Sequence, residues 1–304
     1  MKVTVAITTR NRKDCLRTAL QSAMAQTVQP EVLVIDDAST DGTSEMVRAE
    51  FPSVRLDQAP KALGYIVQRN RAAHLAGGDI IFSIDDDAAF STPRVVEQTL
   101  AEFDHDRVGA VAMPFINVNK ENQLLQRSYG DHGIFVTNSY IGTAHALRRD
   151  LFNKFGGYRE YLFHQGEEQD YCIRMLQAGY VVRLGRADPI HHFESPRRDF
   201  RRMDLYGQRN LVLYVWYNVP WPEFPVNLIA TSFLGLMLGV RVRRLRNAVQ
   251  GQAMGYAAIF HQWKQRRPVS RKIYRLNRLI KRKHQPLEQI EMFLPPIESA
   301  AKSA

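Results

Sequence analysis

Short apolar segments alternate with longer amphipathic segments over the first two thirds of the chain. Residues 3–8 form an apolar run, whereas between residues 13 and 26 apolar side chains recur every three or four positions, as in a helix. The alternation continues with predicted strands at 32–35, 54–56, 80–84, 108–113 and 180–184, and with predicted helices that start near residues 43, 65, 93, 149 and 170. This order predicts an α/β fold with a mostly parallel sheet flanked by helices and joined by right-handed crossovers. Residues 117–140 have no clear period and are predicted to form an irregular loop or a small hairpin.

After Leu205 the sequence becomes aromatic and apolar, and residues 228–240 are its most apolar stretch. At about 13 residues this stretch is shorter than the roughly 20 that a membrane-spanning helix needs. Several arginines follow it at once, and tryptophans precede it. An apolar helix flanked by tryptophan and arginine is typical of a segment that lies on a bilayer. The alternative is a helix that packs on the first domain and exposes a solvated basic face.

The positive charge belongs to one segment. The chain has 304 residues, 41 Lys or Arg, 31 Asp or Glu and a formal net charge of +10, yet residues 241–284 contain 14 of the basic residues and no acid. Such a segment binds a polyanion, which means nucleic acid or an anionic membrane surface. Because no nucleic-acid recognition module accompanies the basic run, we expect the membrane and no nucleic acid. We therefore divide the chain into an α/β domain at 1–220 and a helical, basic, membrane-associating region at 221–304.

The chain begins directly with a strand pattern, so we expect no signal peptide before the fold. Cys15 and Cys172 lie in predicted helices without metal-ligand spacing, and we predict that both are packed thiols in a reducing compartment. Together with the basic segment, these features predict a cytoplasmic protein that is peripheral on the inner face of the cell membrane.

Three adjacent acids, Asp85, Asp86 and Asp87, follow the apolar strand at 80–84. Adjacent carboxylates repel one another unless a cation or a set of hydrogen-bond donors compensates. Hard divalent cations bind carboxylate oxygens, and Mg²⁺ usually completes its shell with substrate phosphates. A solvated acidic turn is the alternative. The position at the carboxyl end of a strand, where α/β sheets bind ligands, favours a functional site.

Three other polar stretches, at 8–12, 36–42 and 167–170, are expected where a parallel sheet presents its strand ends. Together with the acidic triplet they indicate a nucleotide pocket, in which Asp36 or Asp37 could accept hydrogen bonds from a base or ribose. No G-x-G-x-x-G follows the first strand and no G-x-x-x-x-G-K-[ST] occurs, which argues against dinucleotide cofactors and P-loop chemistry. A bound metal would then have to neutralise the pyrophosphate.

In combination and in this order, five stretches resemble the family 2 glycosyltransferases of the GT-A fold: VAITTRNR, VLVIDDASTDGT, RNRAAHLAGGDIIFSIDDDA, GEEQDYCIRMLQAGY and PIHHFES. The resemblance covers roughly residues 1–215. It implies a nucleotide-sugar donor (UDP-, GDP- or dTDP-linked), Mn²⁺ or Mg²⁺, a glycan or lipid-linked acceptor hydroxyl, and usually inversion at the anomeric carbon.

The resemblance also implies roles for individual residues. Asp85 and Asp87 match the outer acids of the family's D-x-D motif, with Asp85 near the ribose and metal, Asp87 on the metal, and Asp86 in the variable middle place. A histidine that completes the metal shell in some relatives could be His191 or His192. The nucleotide would be lined by Thr8 and Arg10, met at its base by Asp37 and approached by Arg69.

The catalytic base is expected in the GEEQD stretch, where Glu168 stands at the position at which the family usually has Asp. Glu has one more methylene, so its carboxylate must be set back to reach the same point. Glu167 or Asp170 could serve instead, or both could merely cap the helix that starts here.

Two other functions remain open from the sequence. A sugar-phosphate nucleotidyltransferase shares a metal and a strand-end site, but it usually has a glycine-rich signature where this chain has Thr8 to Asn11. A non-catalytic membrane- or polyanion-binding protein would use residues 241–284 alone.

Overall fold

The computed structural model describes residues 1–120, 122–130, 132–194 and 199–297. Within them, a central nine-stranded sheet has the order β3-β2-β1-β4-β10-β6-β11-β9-β13, and a smaller sheet has the order β5-β12-β7-β8. The strands are β1 (Val3–Thr9), β2 (Glu31–Asp36), β3 (Arg55–Gln58), β4 (Ile80–Asp85), β5 (Ala88–Phe90), β6 (Val108–Ala112), β7 (Phe115–Asn117), β8 (Leu124–Leu125), β9 (Phe135–Thr137), β10 (Ala144–Arg148), β11 (Val181–Leu184), β12 (Ile190–His192) and β13 (Gln285–Pro286).

Helices pack on the central sheet and on one another. They are α1 (Lys13–Met24), α2 (Thr43–Glu50), α3 (Tyr65–Leu75), α4 (Val95–Ala101), α5 (Arg149–Lys154), α6 (Glu167–Gln177), α7 (Phe200–Asn218), α8 (Glu223–Arg241), α9 (Leu245–His261), α10 (Arg271–Arg282) and α11 (Leu287–Ile290), with 3₁₀ turns at Glu160–Leu162, Trp263–Gln265 and Glu291–Phe293.

The predicted α/β class is confirmed. β1 pairs in parallel with β2 and β4, while β10 runs antiparallel to both β4 and β6. Among the described strands of the central sheet, β9 and β10 run against the direction of the other seven. β1 and β4 are buried almost throughout rather than alternating between buried and exposed positions, as in a sheet that is covered on both faces.

Strand register brings the predicted site together. Thr8 of β1 lies opposite Asp85 of β4, and Thr9 lies opposite Asp36 of β2. The polar residues that follow these three strands therefore meet at one edge of the sheet, above a floor of fully buried side chains such as Ile7 and Ile84.

The region at 117–140 contains a small hairpin, because β7 pairs antiparallel with β8, and β9 joins the central sheet. The prediction for the cysteines is half wrong. Cys172 is buried, whereas Cys15 is exposed because it lies on the outer side of α1, away from the buried Leu16, Ala19 and Leu20.

The apolar segment near the C-terminus is longer than predicted. α8 has 19 residues. A window of 18 residues within it has a mean hydropathy of 1.5, and 11% of that window is buried inside the protein. By length and composition this helix could cross a membrane, so the expectation that it is too short is wrong: Phe224 and Val226 extend the apolar segment toward the N-terminus. β13 pairs with β9 at the edge of the central sheet, so part of the C-terminal region is attached to the first domain. The boundary between residues 220 and 221 stays a prediction.

Candidate active site

A cavity of about 1250 Å³ opens where β1, β2 and β4 end. Most of the residues predicted for the site line it: Thr8, Arg10, Asp37, Arg69, Asp85, Asp86, Asp87, Glu168 and His192. Glu167, Asp170 and His191 are outside the lining. Ser195, the last residue of the PIHHFES stretch, lies outside the described residues.

The carboxylates of the acidic triplet contact two different groups of side chains. One ligand atom from each of Asp85, Asp87 and His192 lies within 4.8 Å of the other two. β12 positions the histidine, because it pairs antiparallel with β5 and sets His192 opposite Ala88, the residue after Asp87. Since side chains alternate along a strand, His191 points to the other side of β12. Two carboxylates and one imidazole form a ligand set that suits Mn²⁺, and Mg²⁺ less well.

Arg12 contacts the other side of the triplet. Its Nη1 donates to Asp87 Oδ2 at 2.5 Å and to Asp86 Oδ1 at 3.1 Å, and Thr9 Oγ1 donates to Asp86 Oδ2 at 2.8 Å. Burial raises the pKa of Asp86 to about 7 despite these donors. Burial would also raise the pKa of Asp87, but its hydrogen bonds to His192 and Arg12 outweigh burial and hold that pKa below its usual value. The triplet thus binds positive charge in the structure as it stands.

Arg69 connects the metal side of the cavity with the candidate bases. This side chain is 8% exposed, and its Nη2 donates to Asp85 Oδ1 at 2.7 Å and to the Gly142 carbonyl at 3.1 Å. Its Nη1 donates to Glu167 Oε1 at 3.3 Å and lies 3.9 Å from Glu168 Oε1. One guanidinium therefore spans the gap between Asp85 and Glu168 and neutralises part of the charge on both sides.

Glu167 and Glu168 begin α6, directly after Gly166, which has a positive φ of 87°. The Glu167 side chain is fully buried, whereas that of Glu168 is 18% exposed and faces the cavity. Burial and the neighbouring Glu168 raise the pKa of Glu167 to about 8, although Arg69 opposes this. Burial also raises the pKa of Glu168, again against Arg69. A carboxylate that faces a cavity with a raised pKa is a better proton acceptor than a solvated one.

Asp170 has structural partners instead. Its carboxylate accepts hydrogen bonds from Arg159 Nε at 3.1 Å, Arg174 Nε at 3.0 Å and Asn218 Nδ2 at 2.8 Å. These bonds join α6 to α7 and to the segment before α6. The catalytic role of Asp170 stays a prediction, and in the structure its carboxylate is the centre of a buried group of ion pairs.

Asp37 holds the loop that precedes α3. It accepts hydrogen bonds from the backbone N–H groups of Leu63 at 2.7 Å and Gly64 at 3.0 Å, and from Gln68 Nε2 at 2.6 Å. It also lines the cavity next to Thr8 and Arg10. Its carboxylate can therefore fix the loop and face a ligand at once.

Sequence reasoning missed the roles of Arg12, Thr9 and Gly142. Arg12 belongs to the VAITTRNR stretch and follows β1, and the acids that it contacts follow the neighbouring strand β4. This positive charge beside the acids was the sequence signal that could have predicted the contact. Lys120 and Glu194 also line the cavity and form an ion pair, and no sequence pattern pointed to them.

Comparisons with known proteins agree with this geometry. A family model described as glycosyl transferase family 2 matches residues 4–163. The uncharacterized glycosyltransferase YwdF of Bacillus subtilis is 28% identical over 226 residues, which are 70% of this chain and 82% of that protein. The glucosyl-dolichyl phosphate glucuronosyltransferase of Haloferax volcanii is 26% identical over 218 residues, which are 63% of this chain and 69% of that protein.

Solved structures are similar over most of the chain. The mannosyltransferase PcManGT from Pyrobaculum calidifontis, in complex with GDP-Man and Mn²⁺, has a TM-score of 0.59 and 20% identity, with 96% of this chain and 84% of that chain covered. TarS 1-349 of S. aureus, in complex with UDP-GlcNAc, has a TM-score of 0.62 and 17% identity, with 83% of this chain and 79% of that chain covered. At these identities the likeness establishes the shared fold.

Proposed function

The chain belongs to glycosyl transferase family 2 and is a glycosyltransferase of the GT-A fold, and on that basis we propose that it transfers a sugar, with inversion, from a nucleotide-sugar donor to a hydroxyl of a glycan or lipid-linked acceptor. One observation supports this most directly: a single cavity collects a candidate metal-ligand set, Asp85, Asp87 and His192, and a candidate base, Glu168. The similar structures that contain GDP-Man and UDP-GlcNAc support a nucleotide-sugar donor.

Asp85, Asp87 and His192 would hold Mn²⁺ or Mg²⁺. The chemistry of the ligand set favours Mn²⁺, which is also the ion in the PcManGT complex. When bound, such an ion supplies positive charge that stabilises a diphosphate leaving group.

The protein's own residues do the remaining work. Asp37, Thr8 and Arg10 bind the nucleotide at the ends of β1 and β2. Glu168 accepts the proton of the acceptor hydroxyl as that oxygen attacks the anomeric carbon. Arg69 holds Asp85 and the Glu168 region at a fixed separation, and the apolar floor of the cavity limits the access of water to the donor.

Transfer and donor hydrolysis should be measured with UDP-, GDP- and dTDP-sugars in the presence of Mn²⁺. Glu168→Gln should keep donor binding and lower turnover by about 10²–10⁴-fold, the usual contribution of a general base. The matched control is Glu45→Gln, an exposed residue of α2, which should leave turnover unchanged. A fully active Glu168→Gln variant would move the base elsewhere, and turnover without any divalent ion would refute the metal dependence.

We further propose that the protein is peripheral on the cytoplasmic face of the cell membrane, with an anionic membrane surface rather than nucleic acid as its partner. The 14 basic residues at 241–284 support this location. Family membership favours glycosyl transfer over a sugar-phosphate nucleotidyltransferase or a non-catalytic binder.

A further inference from the structure

α8 exposes an unusually large apolar surface. Seven of its large apolar side chains are between 51% and 71% exposed: Val226, Ile229, Phe233, Leu234, Met237, Leu238 and Val240. Phe260 near the end of α9 is 80% exposed. Monomeric soluble proteins rarely expose continuous apolar patches larger than a few hundred Å², so this surface requires a partner.

Two glycines lie on the inward side of α8. Gly235 lies so close to Gln208 and Gln252 that a Cβ there would clash with both side chains. A Cβ at Gly239 would lie 2.7 Å from the Ala248 Cβ. Toward the C-terminal end of α8, glycines therefore face the protein while large apolar residues face outward, whereas an ordinary amphipathic surface helix exposes its polar side.

Packing holds α8 along the side of the molecule. Near its start, the Phe224 ring lies 5.7 Å from that of Trp216, near the end of α7. Beyond its end, Arg244 pairs with Asp204, near the start of α7, at 3.1 Å. α8 therefore runs antiparallel to α7.

α7 is in turn tied to the α/β domain. Asn210 donates to the carbonyls of Leu162, His164 and Gln165, and Asn218 donates to Asp170. α8 could cross a bilayer only by separating from α7, whereas it can lie flat on a membrane surface without any rearrangement.

Charge identifies the partner as an anionic bilayer. The end of α8, the turn after it and the start of α9 carry the exposed Arg241, Arg243 and Arg246, and we call this segment, residues 241–246, the arginine turn. No acid occurs between 241 and 284. Trp221 and Trp263, beside α8 and α9, are 63% and 62% exposed, as is typical of side chains at a lipid–water interface. A second copy of this chain would bring like charges together, whereas anionic lipid phosphates complement them.

The arginine turn also lies next to the cavity. Arg244 pairs with Asp204 and packs over the Phe200 ring at 4.7 Å, and both residues belong to the first turns of α7. Arg202 and Met203, in the same turns, line the cavity.

We propose that the exposed face of α8 and the arginine turn form one membrane-docking surface, which lies flat on anionic lipid and holds the α7 wall of the cavity at the headgroups. An acceptor linked to a lipid phosphate would enter there. This last step rests on the proposed glycosyl transfer, whereas docking itself does not.

Docking should be measured by co-sedimentation of the purified full chain with phosphatidylcholine vesicles, with and without phosphatidylglycerol. We expect binding to the anionic vesicles. Phe233→Gln combined with Met237→Gln should weaken it by about 100-fold, because two large apolar side chains no longer enter the interface. Met24→Gln combined with Met292→Gln removes exposed apolar side chains elsewhere and should have no effect.

The charge contribution needs its own pair of variants. Arg241→Gln, Arg243→Gln and Arg246→Gln in combination should weaken binding to anionic vesicles by about 100-fold, because each arginine near an anionic surface increases the affinity about fivefold. The control combines Lys2→Gln, Arg48→Gln and Arg94→Gln, which remove the same charge from other exposed positions. Binding to anionic vesicles should change less than threefold, far less than with the arginine-turn substitutions.

Four results would overturn the proposal. The wild-type chain could fail to bind anionic vesicles, or the control variants could lose binding as strongly as the docking-surface variants. Light scattering could show a dimer that the Phe233 and Met237 substitutions dissociate, in which case a second copy covers α8. Resistance to alkaline extraction from vesicles would overturn the flat orientation, because it indicates a spanning helix.

Donor hydrolysis in the absence of vesicles separates this proposal from the proposed function. Hydrolysis without vesicle binding would refute docking alone, and vesicle binding without hydrolysis or transfer would refute the transferase proposal alone.

Discussion

Gly142 lies where Arg69 and the candidate base approach each other, so an added methyl group there tests the geometry of the site. A Cβ at this position would lie 2.6 Å from both Arg69 Nη1 and Glu168 Oε1. Ordinary van der Waals contact begins near 3.4 Å, so both side chains must retreat by about 0.8 Å, the difference between these distances. Arg69 must then strain its hydrogen bonds to Asp85 and to the Gly142 carbonyl, and Glu168 is displaced from its position at the cavity.

We expect Gly142→Ala to lower kcat by about 10²-fold, the effect of a misplacement of roughly 1 Å in an active site. This loss corresponds to about 2.7 kcal/mol in the activation free energy. The assay is turnover at saturating donor and acceptor with Mn²⁺, together with the denaturant midpoint, because overpacking costs about 1–3 kcal/mol of stability.

A second substitution identifies the cause. Aspartate is one methylene shorter than glutamate, so Glu168→Asp in the Gly142→Ala background should recover part of the lost kcat. Gly130→Ala is the matched control, since its Cβ would meet only Phe135, at 3.7 Å. A Gly142→Ala variant with kcat within threefold of wild type, well short of the loss expected from a 1 Å displacement, would refute the reasoning.

The remaining predictions concern the other acids and the two histidines. Asp170→Ala should reduce the free energy of unfolding by about 3–5 kcal/mol, because it leaves Arg159 and Arg174 without their buried partner; chemical denaturation measures this, and a stable but inactive variant would contradict it. Burial raises the pKa of Glu167 from 4.5 in the unfolded chain to about 8 in the folded state. Between these two pH values the folded state therefore binds more protons than the unfolded state. The free energy of unfolding should therefore fall as pH rises through that range, and urea titrations at several pH values should give a flatter dependence for Glu167→Gln. His192→Ala should weaken Mn²⁺ binding at least about tenfold by calorimetry while His191→Ala should not, because the imidazole that faces the two carboxylates is the better-placed ligand; equal effects would contradict the assignment.

Much of the site could be predicted because strand ends in a parallel sheet are visible in sequence. An apolar run followed at once by Asp85 to Asp87 places three acids at the sheet edge, and the run before Asp36 and Asp37 does the same for a second strand. Local patterns suffice here because the direction of a buried strand decides where the next residues lie.

Contacts between distant segments could not be predicted in this way. Arg12 reaches Asp86 and Asp87 across more than 70 residues, and Gly142 reaches Glu168 only after β10 and α6 have packed. No period or motif encodes these distances, because they depend on how whole elements sit against one another.

The sequence by itself determined the α/β class, the strand-end acids, the resemblance to the family and the basic character of residues 241–284, since each depends on the order and type of neighbouring residues. Only the tertiary structure shows that His192 rather than His191 lies beside Asp85 and Asp87, because the pairing of β12 with β5 sets which imidazole faces them. It also separated Glu168, at the cavity, from Asp170, among arginines, because their side chains leave α6 in different directions. Finally, it turned the apolar side of α8 outward, since the glycines of that helix are the residues small enough to lie against α7 and α9.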